Sequence, residues 1–265
     1  MSPQSNNDRY QQHPLPDDFP ISTLGGYREN IVAPAGPFEP EGSWEQVFGI
    51  HSTGTGSSRV GTLTLTRRTG DGPGVSLGVR HEKRLTGSTA ARRGGPANPR
   101  RVLEAELQLP DARHRLSAPK AWSFQCRVFD AEGRVIPEAS LKRRAIVQEG
   151  KLRLTTGEAP PRTVPLEGEY TVHWALFDAV ARLPREPFEP IGFTLVDHFD
   201  QVKPGQTLVF RRAIDTPIGG QSLRLFGFDQ TGRGVMPWTY WVDQAGRAVV
   251  VVSGLETYML ESASS

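Results

Sequence analysis

The sequence predicts a mainly β protein, built on a long antiparallel curved sheet with one central helix. Three observations predict this fold class. Thirteen short apolar or alternating segments between Trp44 and Leu260 are separated by clusters of Gly, Pro and Asp, a spacing typical of an antiparallel meander. Only one segment has helical periodicity. The second half of the chain resembles the first in its strands and turns, which indicates an internal duplication.

The N-terminal residues 1–37 are rich in Asn, Gln, Pro, Asp and Gly, so the sequence predicts a flexible arm. Residues 38–265 are expected to form a single β domain, a length that can bury a core without disulfides or metals. Because the first twenty residues contain no apolar run and no stretch resembles a membrane span, the expected location is the cytoplasm as written. A processed or incomplete N-terminus would allow the periplasm instead.

The domain is predicted to consist of two related units, at 38–157 and 188–260. The signal is strongest in Asp130-Ala-Glu-Gly-Arg134 and Asp229-Gln-Thr-Gly-Arg233, where Asp can accept from the turn and Gly allows a positive φ. Asp243 to Arg247 predicts a third such turn, and Glu149-Gly150 a fourth. The alternative is that two unrelated meanders share similar turns.

The first unit is enlarged by a basic insertion near residues 70–118. Between Arg80 and Arg115 nine Lys and Arg face four acids, a balance of 9 minus 4, or +5, in a chain of net charge +2. Arg92, Arg93, Arg100 and Arg101 are therefore candidate contacts for an anionic partner through residues 80–115. A solvated loop is the alternative, because no aromatic residues accompany them.

The only cysteine, Cys126, excludes an internal disulfide and any zinc site that needs two thiolates. Cys126 shares a strand face with Phe124 and Val128, and its counterpart in the second unit is Leu225, so we expect a packing role. Motifs for a nucleophile elbow, a zinc protease or an EF-hand are absent from the sequence. No cofactor and no metal are expected.

The central helix is predicted over residues 171–183, where apolar residues recur at three- and four-residue spacing. Thr171 is the predicted N-cap and Pro184 the stop. So short a helix is marginal in water and must pack on the sheet. His173 is expected at the surface or rim.

Two clusters in the second unit are candidates for chemistry. In Asp197-His-Phe-Asp200, strand alternation would place His198 and Asp200 on one face and Asp197 on the other, as candidate acid–base residues. In the second cluster Trp238 and Tyr240 share a face and Trp241 points away, as candidate ligand-binding residues. Structural roles are the alternative for both clusters.

A meander with a helix across its middle resembles the half-barrel of the LolA and LolB lipoprotein carriers and of the violacein enzyme VioE. The resemblance is carried by 171–183 and the meander to Leu260, and it transfers no functional residue. It implies a concave face that holds acyl chains in the carriers and a substrate in the enzyme. Gly42-Ser-Trp44 is similar to the Gly-x-Trp of lipocalins, so a closed barrel is the alternative fold.

Three functions follow as hypotheses. The first is binding of an apolar or amphipathic small ligand in the concave face. The second is a cofactor-independent enzyme of secondary metabolism that uses His198 with Asp197 or Asp200. The third is an interaction scaffold for an anionic partner.

Overall fold

The computed structural model describes residues 31–52, 59–70, 72, 74–85, 99–254 and 256–265. These residues form fifteen strands, one short 3₁₀ turn before the helix, another at Pro137–Ala139, and one short helix. The strands are β1 (Trp44–Ser52), β2 (Arg59–Thr69), β3 (Val75–Arg84), β4 (Arg100–Leu109), β5 (Ala121–Phe129), β6 (Leu141–Gln148), β7 (Lys151–Thr156), β8 (Arg162–Pro165), β9 (Tyr170–Val172), β10 (Ile191–Asp197), β11 (Gln201–Ile218), β12 (Gln221–Gly232), β13 (Trp238–Val242), β14 (Ala248–Ser253) and β15 (Glu256–Ser264).

All fifteen strands belong to one sheet, in the order β8-β7-β6-β5-β4-β3-β2-β1-β15-β14-β13-β12-β11-β10-β9. Neighbours are antiparallel except β9 and β10, which are parallel. The sheet is open, because β8 and β9 are its edges. The predicted long antiparallel curved sheet is confirmed, and the closed barrel is not what the strand order shows. The first and last strands pair at the centre of the sheet, with Glu45 opposite Ser264.

All thirteen predicted strands are present, and β8 and β9 are additional. Three of the four predicted turns are also present. Asp130 accepts from the backbone N–H of Arg134 at 2.8 Å, Asp243 accepts from that of Arg247 at 2.9 Å, and Glu149 and Gly150 have φ of 50° and 67°.

The turn predicted at Asp229 is wrong. Asp229 lies inside β12, opposite Thr239, and the strand continues to Gly232. Its carboxylate accepts from the Thr239 hydroxyl at 2.7 Å and pairs with Arg211 at 3.2 Å. These partners on the two neighbouring strands hold the carboxylate within the sheet, whereas Asp130 bonds to its own turn.

The predicted helix is much shorter than 171–183. The chain forms β9, then a 3₁₀ turn at His173–Ala175, then helix α1 (Leu176–Val180). Thr171 is not an N-cap, because it lies in β9 opposite Leu195 and its hydroxyl donates to the Leu116 carbonyl at 2.6 Å. The β-branched Thr171 and Val172 suit an extended strand, and β10 supplies the backbone partner that local periodicity cannot reveal.

Helix α1 lies within the concave face of the sheet and is buried on all sides. Phe177 contacts Phe48 of β1 and Tyr240 of β13 edge-on, both at ring-centroid distances of 5.5 Å. Every residue from Leu176 to Val180 is buried, Asp178 included. The expectation of a surface or rim position for His173 is therefore wrong, since its side chain is 4% exposed.

The opposite, convex face carries a smaller apolar cluster around Trp241 and Leu225. Ile31 is buried in this cluster, and Arg247 donates to the carbonyls of Ala35 and Gly36 at 2.8 and 3.0 Å. Residues 31–37 of the predicted arm therefore lie against the domain, and residues 1–30 lie outside the described residues. In the described ranges, no helix is long and apolar enough to cross a membrane.

Candidate functional site

A cavity of about 340 Å³ opens in the concave face beside the 3₁₀ turn. Side chains from β3, β4, β10, β11, β13, β14 and β15 line it together with His173 and Trp174. Strand alternation positions them, since in β3 the inward series Val75, Leu77 and Val79 is buried and ends at His81. The cavity thus brings residues from both predicted units to one place.

One wall of the cavity is aromatic. Trp238 stacks on Tyr258 with ring centroids 5.5 Å apart, and Trp174 meets Tyr258 edge-on at 6.2 Å. The His173 ring meets Trp238 edge-on at 4.3 Å. Rings in these arrangements give a rigid apolar surface.

The three predicted ligand-binding aromatics do not act as one group. Trp238 lines the cavity, whereas Tyr240 is fully buried beneath it, with its ring 6.2 Å from Trp238. Tyr240 and Trp241 belong to the apolar clusters on opposite faces of the sheet, as alternation predicts. Burial raises the pKa of Tyr240 well above its usual value.

Asp197 and His198 both line the cavity, at the end of β10. Lys203 donates to Asp197 Oδ2 at 2.6 Å, and His198 Nε2 lies 3.9 Å from Oδ1. Burial acts to raise the pKa of Asp197, but the hydrogen bond from Lys203 and the nearby histidines hold that pKa below its usual value. Asp197 is therefore ionised at neutral pH.

Asp200 does not line the cavity and instead pairs with Arg143 of β6. The prediction that His198 and Asp200 share a face of a strand, with Asp197 on the other, is wrong. Alternation fails because β10 ends at Asp197 and the next two residues, His198 and Phe199, have φ of 48° and 68°.

This turn places two successive non-glycine residues in the left-handed region, where each costs about 1–2 kcal/mol. Phe199 compensates, because it is fully buried and stacks on Phe124 at 5.0 Å. Its carbonyl accepts from the Trp122 indole at 3.2 Å. His198 is thereby held at the cavity with its side chain 68% exposed.

His81 and His173 are site residues that sequence reasoning missed. Burial, as the largest cause, lowers the pKa of each to about 4, so both imidazoles are neutral at neutral pH. The signal for His81 was present in the inward series that begins at Val75. His173 could not be found, because its place depends on the true bounds of α1.

Glu256 also lines the cavity, where it pairs with Lys83 and accepts from the Tyr258 hydroxyl at 2.7 Å. Burial acts to raise the pKa of Glu256, but these two hydrogen bonds hold it below its usual value. Arg101 lies opposite Lys83 in the β3–β4 pair and also lines the cavity.

Of the four arginines predicted to contact an anionic partner, the structure describes Arg100 and Arg101. Arg92 and Arg93 lie outside the described residues. Arg100 covers the Phe129 ring at 4.5 Å and pairs with Glu82 at 3.0 Å, whereas its neighbour Arg101 faces the cavity.

Cys126 is half-buried, opposite Leu103 in β4. Burial raises the pKa of its thiol, which disfavours the reactive thiolate. Across the described residues, no group of three His, Cys, Asp or Glu side chains is arranged to hold a metal ion.

No protein-family model matches this sequence, and no curated protein matches it significantly. Among solved structures, the chain is similar to the beta-barrel-like protein of domain of unknown function DUF1849 from Brucella abortus. The TM-score is 0.55 at 11% sequence identity, over 83% of this chain and 96% of that one. This likeness supports a β-barrel-like fold and does not assign the chain to the LolA, LolB and VioE group.

Proposed function

We propose that the cavity binds a small amphipathic molecule. The observation that carries this proposal is the wall formed by Trp174, Trp238 and Tyr258 beside the polar groups of Asp197 and Glu256. A ligand pocket is mostly apolar with a few convergent polar groups and spans about 300–1,000 Å³. At about 340 Å³ the cavity is at the small end of that range, so a compact ligand suits it better than a long chain.

The resemblance to LolA, LolB and VioE supports the same proposal, because in that half-barrel architecture the concave face holds acyl chains or a substrate. In this chain α1 fills the deeper part of the concavity, since Phe177 reaches both Phe48 and Tyr240. The remaining space is the cavity beside His173, which is again an argument for a compact ligand.

The test is a fluorescence titration with 8-anilinonaphthalene-1-sulfonate, an aromatic amphipathic probe. We expect saturable 1:1 binding that weakens about tenfold or more in Trp238→Ala, which corresponds to about 1.4 kcal/mol. Trp241→Phe is the control, because Trp241 packs on the convex face. The proposal is overturned if the folded protein shows no saturable binding, or if Trp238→Ala binds as well as the wild type.

A second candidate function is cofactor-independent acid–base catalysis. The observation in its favour is the strained turn that holds His198 within 3.9 Å of the ionised Asp197, with the neutral His173 also at the cavity. A carboxylate beside an imidazole can orient it and stabilise its protonated form. Hydrolysis of 4-nitrophenyl acetate tests this: a rate unchanged in His198→Gln would exclude a catalytic role for His198 in that reaction.

The scaffold hypothesis, docking of an anionic partner on residues 80–115, stays a prediction. Arg92 and Arg93 lie outside the described residues, and Arg100 is already paired with Glu82.

A further inference from the structure

Arg101 lines the cavity as a cation without a counter-ion among the described residues. Lys203 is paired with Asp197 and Lys83 with Glu256, so these two acids are neutralised by lysines. The side chain of Arg101 forms no hydrogen bond or ion pair with the described part of the chain, and its Nε is buried without a partner there. A buried donor without a partner is unfavourable, and a bound acceptor would remove that cost.

The position of Arg101 is fixed by the sheet. Arg101 lies on β4 opposite Lys83 of β3 on one side and Val128 of β5 on the other. Arg101 and His81 line the same cavity, where burial first and the charge of Arg101 second lower the pKa of His81. The same charge opposes the rise that burial causes in the pKa of the Cys126 thiol. Arg101 therefore borders the same space as the aromatic wall.

The charges around the cavity select the charge of the ligand. Arg101, Lys203, Asp197 and Glu256 line the cavity, and Lys83, which does not line it, pairs with Glu256. These groups carry three positive and two negative charges, while His81 and His173 are neutral at neutral pH. The remainder, 3 minus 2, is +1. A single carboxylate balances it, whereas a phosphate dianion would leave a negative excess.

We propose that the ligand of this cavity is an aromatic or compact apolar carboxylate whose carboxylate pairs with Arg101 and whose apolar part lies on Trp238 and Tyr258. A guanidinium presents parallel N–H donors that match a carboxylate. This inference rests on the proposed function and adds the chemical class of the ligand.

The experiment compares three probes of similar size: 2-naphthylacetate, the neutral 2-naphthylacetamide and 2-naphthyl phosphate. Isothermal titration calorimetry on the full chain measures each Kd at low ionic strength. We expect the wild type to bind the acid at least tenfold more tightly than the amide. Arg101→Gln should weaken acid binding at least tenfold and leave amide binding within about twofold.

Arg100→Gln is the matched control, since Arg100 is the neighbouring residue and pairs with Glu82 outside the cavity lining. It should leave both affinities unchanged. Arg101→Lys retains the charge but not the planar donor pair, so its affinity for the acid should lie between those of the wild type and Arg101→Gln. It replaces Arg101→Gln as the test variant if Arg101→Gln does not fold.

The outcomes separate this inference from the proposal on which it rests. If neither the acid nor the amide binds, the proposed function fails along with it. If acid and amide bind equally, or Arg101→Gln does not affect acid binding, the role of Arg101 is wrong while ligand binding stands. Tighter binding of the phosphate than of the carboxylate would overturn the assignment of ligand class.

Discussion

Arg67 of β2 and Asp178 of α1 form an ion pair with 2.9 Å between Nε and Oδ1, and neither side chain has any exposed surface. Arg182 pairs with the other carboxylate oxygen at 2.8 Å, and the Ser117 hydroxyl donates to it at 2.5 Å. Arg67 also donates to the carbonyls of Glu41 and Gly42. The network joins the helix to the sheet, so it holds α1 and the adjoining 3₁₀ turn that lines the cavity.

Asp178→Asn should destabilise the fold by about 3–5 kcal/mol, because it leaves buried cations without their counter-charge. Urea unfolding followed by circular dichroism measures the free energy of unfolding. The control is Asp215→Asn, which breaks an exposed pair with Arg224 and should cost less than about 1 kcal/mol. Equal losses in the two variants would contradict a special role for the buried network.

His198→Gly should stabilise the fold by about 1 kcal/mol, because glycine adopts a positive φ without steric cost. Phe199→Gly relieves similar strain but should destabilise by about 3 kcal/mol or more, because it removes a buried ring. Thermal unfolding of both variants makes the comparison. A loss of stability in His198→Gly would show that the His198 side chain contributes to stability and is not held there at a cost.

Stability should fall as pH is lowered from about 6.5 towards 4. Burial lowers the pKa of His81 in the folded state from 6.5 to about 4. Between pH 6.5 and 4, His81 is therefore protonated in the unfolded chain but neutral in the folded one. The free energy of unfolding has its full value with respect to His81 above pH 6.5, and it falls progressively down to pH 4, by at most about 3 kcal/mol. Urea unfolding at pH 7.0, 5.5 and 4.5 measures the slope.

His81→Phe should flatten that slope, because phenylalanine fills the position beside Trp174 and does not titrate. Trp174→Phe changes the same wall without removing a titrating group and should keep the slope. His173, whose pKa is also lowered to about 4 by burial and is influenced by Asp197, contributes in the same direction, so some dependence on pH remains in His81→Phe. An unchanged slope in His81→Phe would contradict the neutral, buried state of His81.

The strands could be predicted because their signals are local. Alternation in β3 and the Asp-Gly turns at Asp130 and Asp243 depend on neighbours in sequence. The length of helix α1 was overestimated, because the apolar spacing at its start fits a strand as well as a helix. Thr171 lies in a strand because it pairs in parallel with Leu195, which is 24 positions away in the sequence.

The site was only partly predictable for the same reason. Asp197, His198, Trp238 and Arg101 were candidates from sequence, and all four line the cavity. Asp200 was misplaced because no glycine marks the left-handed turn at His198. Glu256 and Tyr258 could not be linked to the site, because their inward position depends on the pairing of β15 with β1 at the centre of the sheet.

Because β1 pairs with β15, the sheet has the strand order of a circularly permuted meander. Read from β9 to β15 and then from β1 to β8, the strand order of the sheet is the order of a chain in which each strand pairs with the next. The natural order delays the β1–β15 seam until the C-terminal strand has been synthesised, since Gln46 must meet Ala263. A circular permutant opened between β8 and β9 would replace this long-range closure with a local one, and it should fold faster than the natural chain.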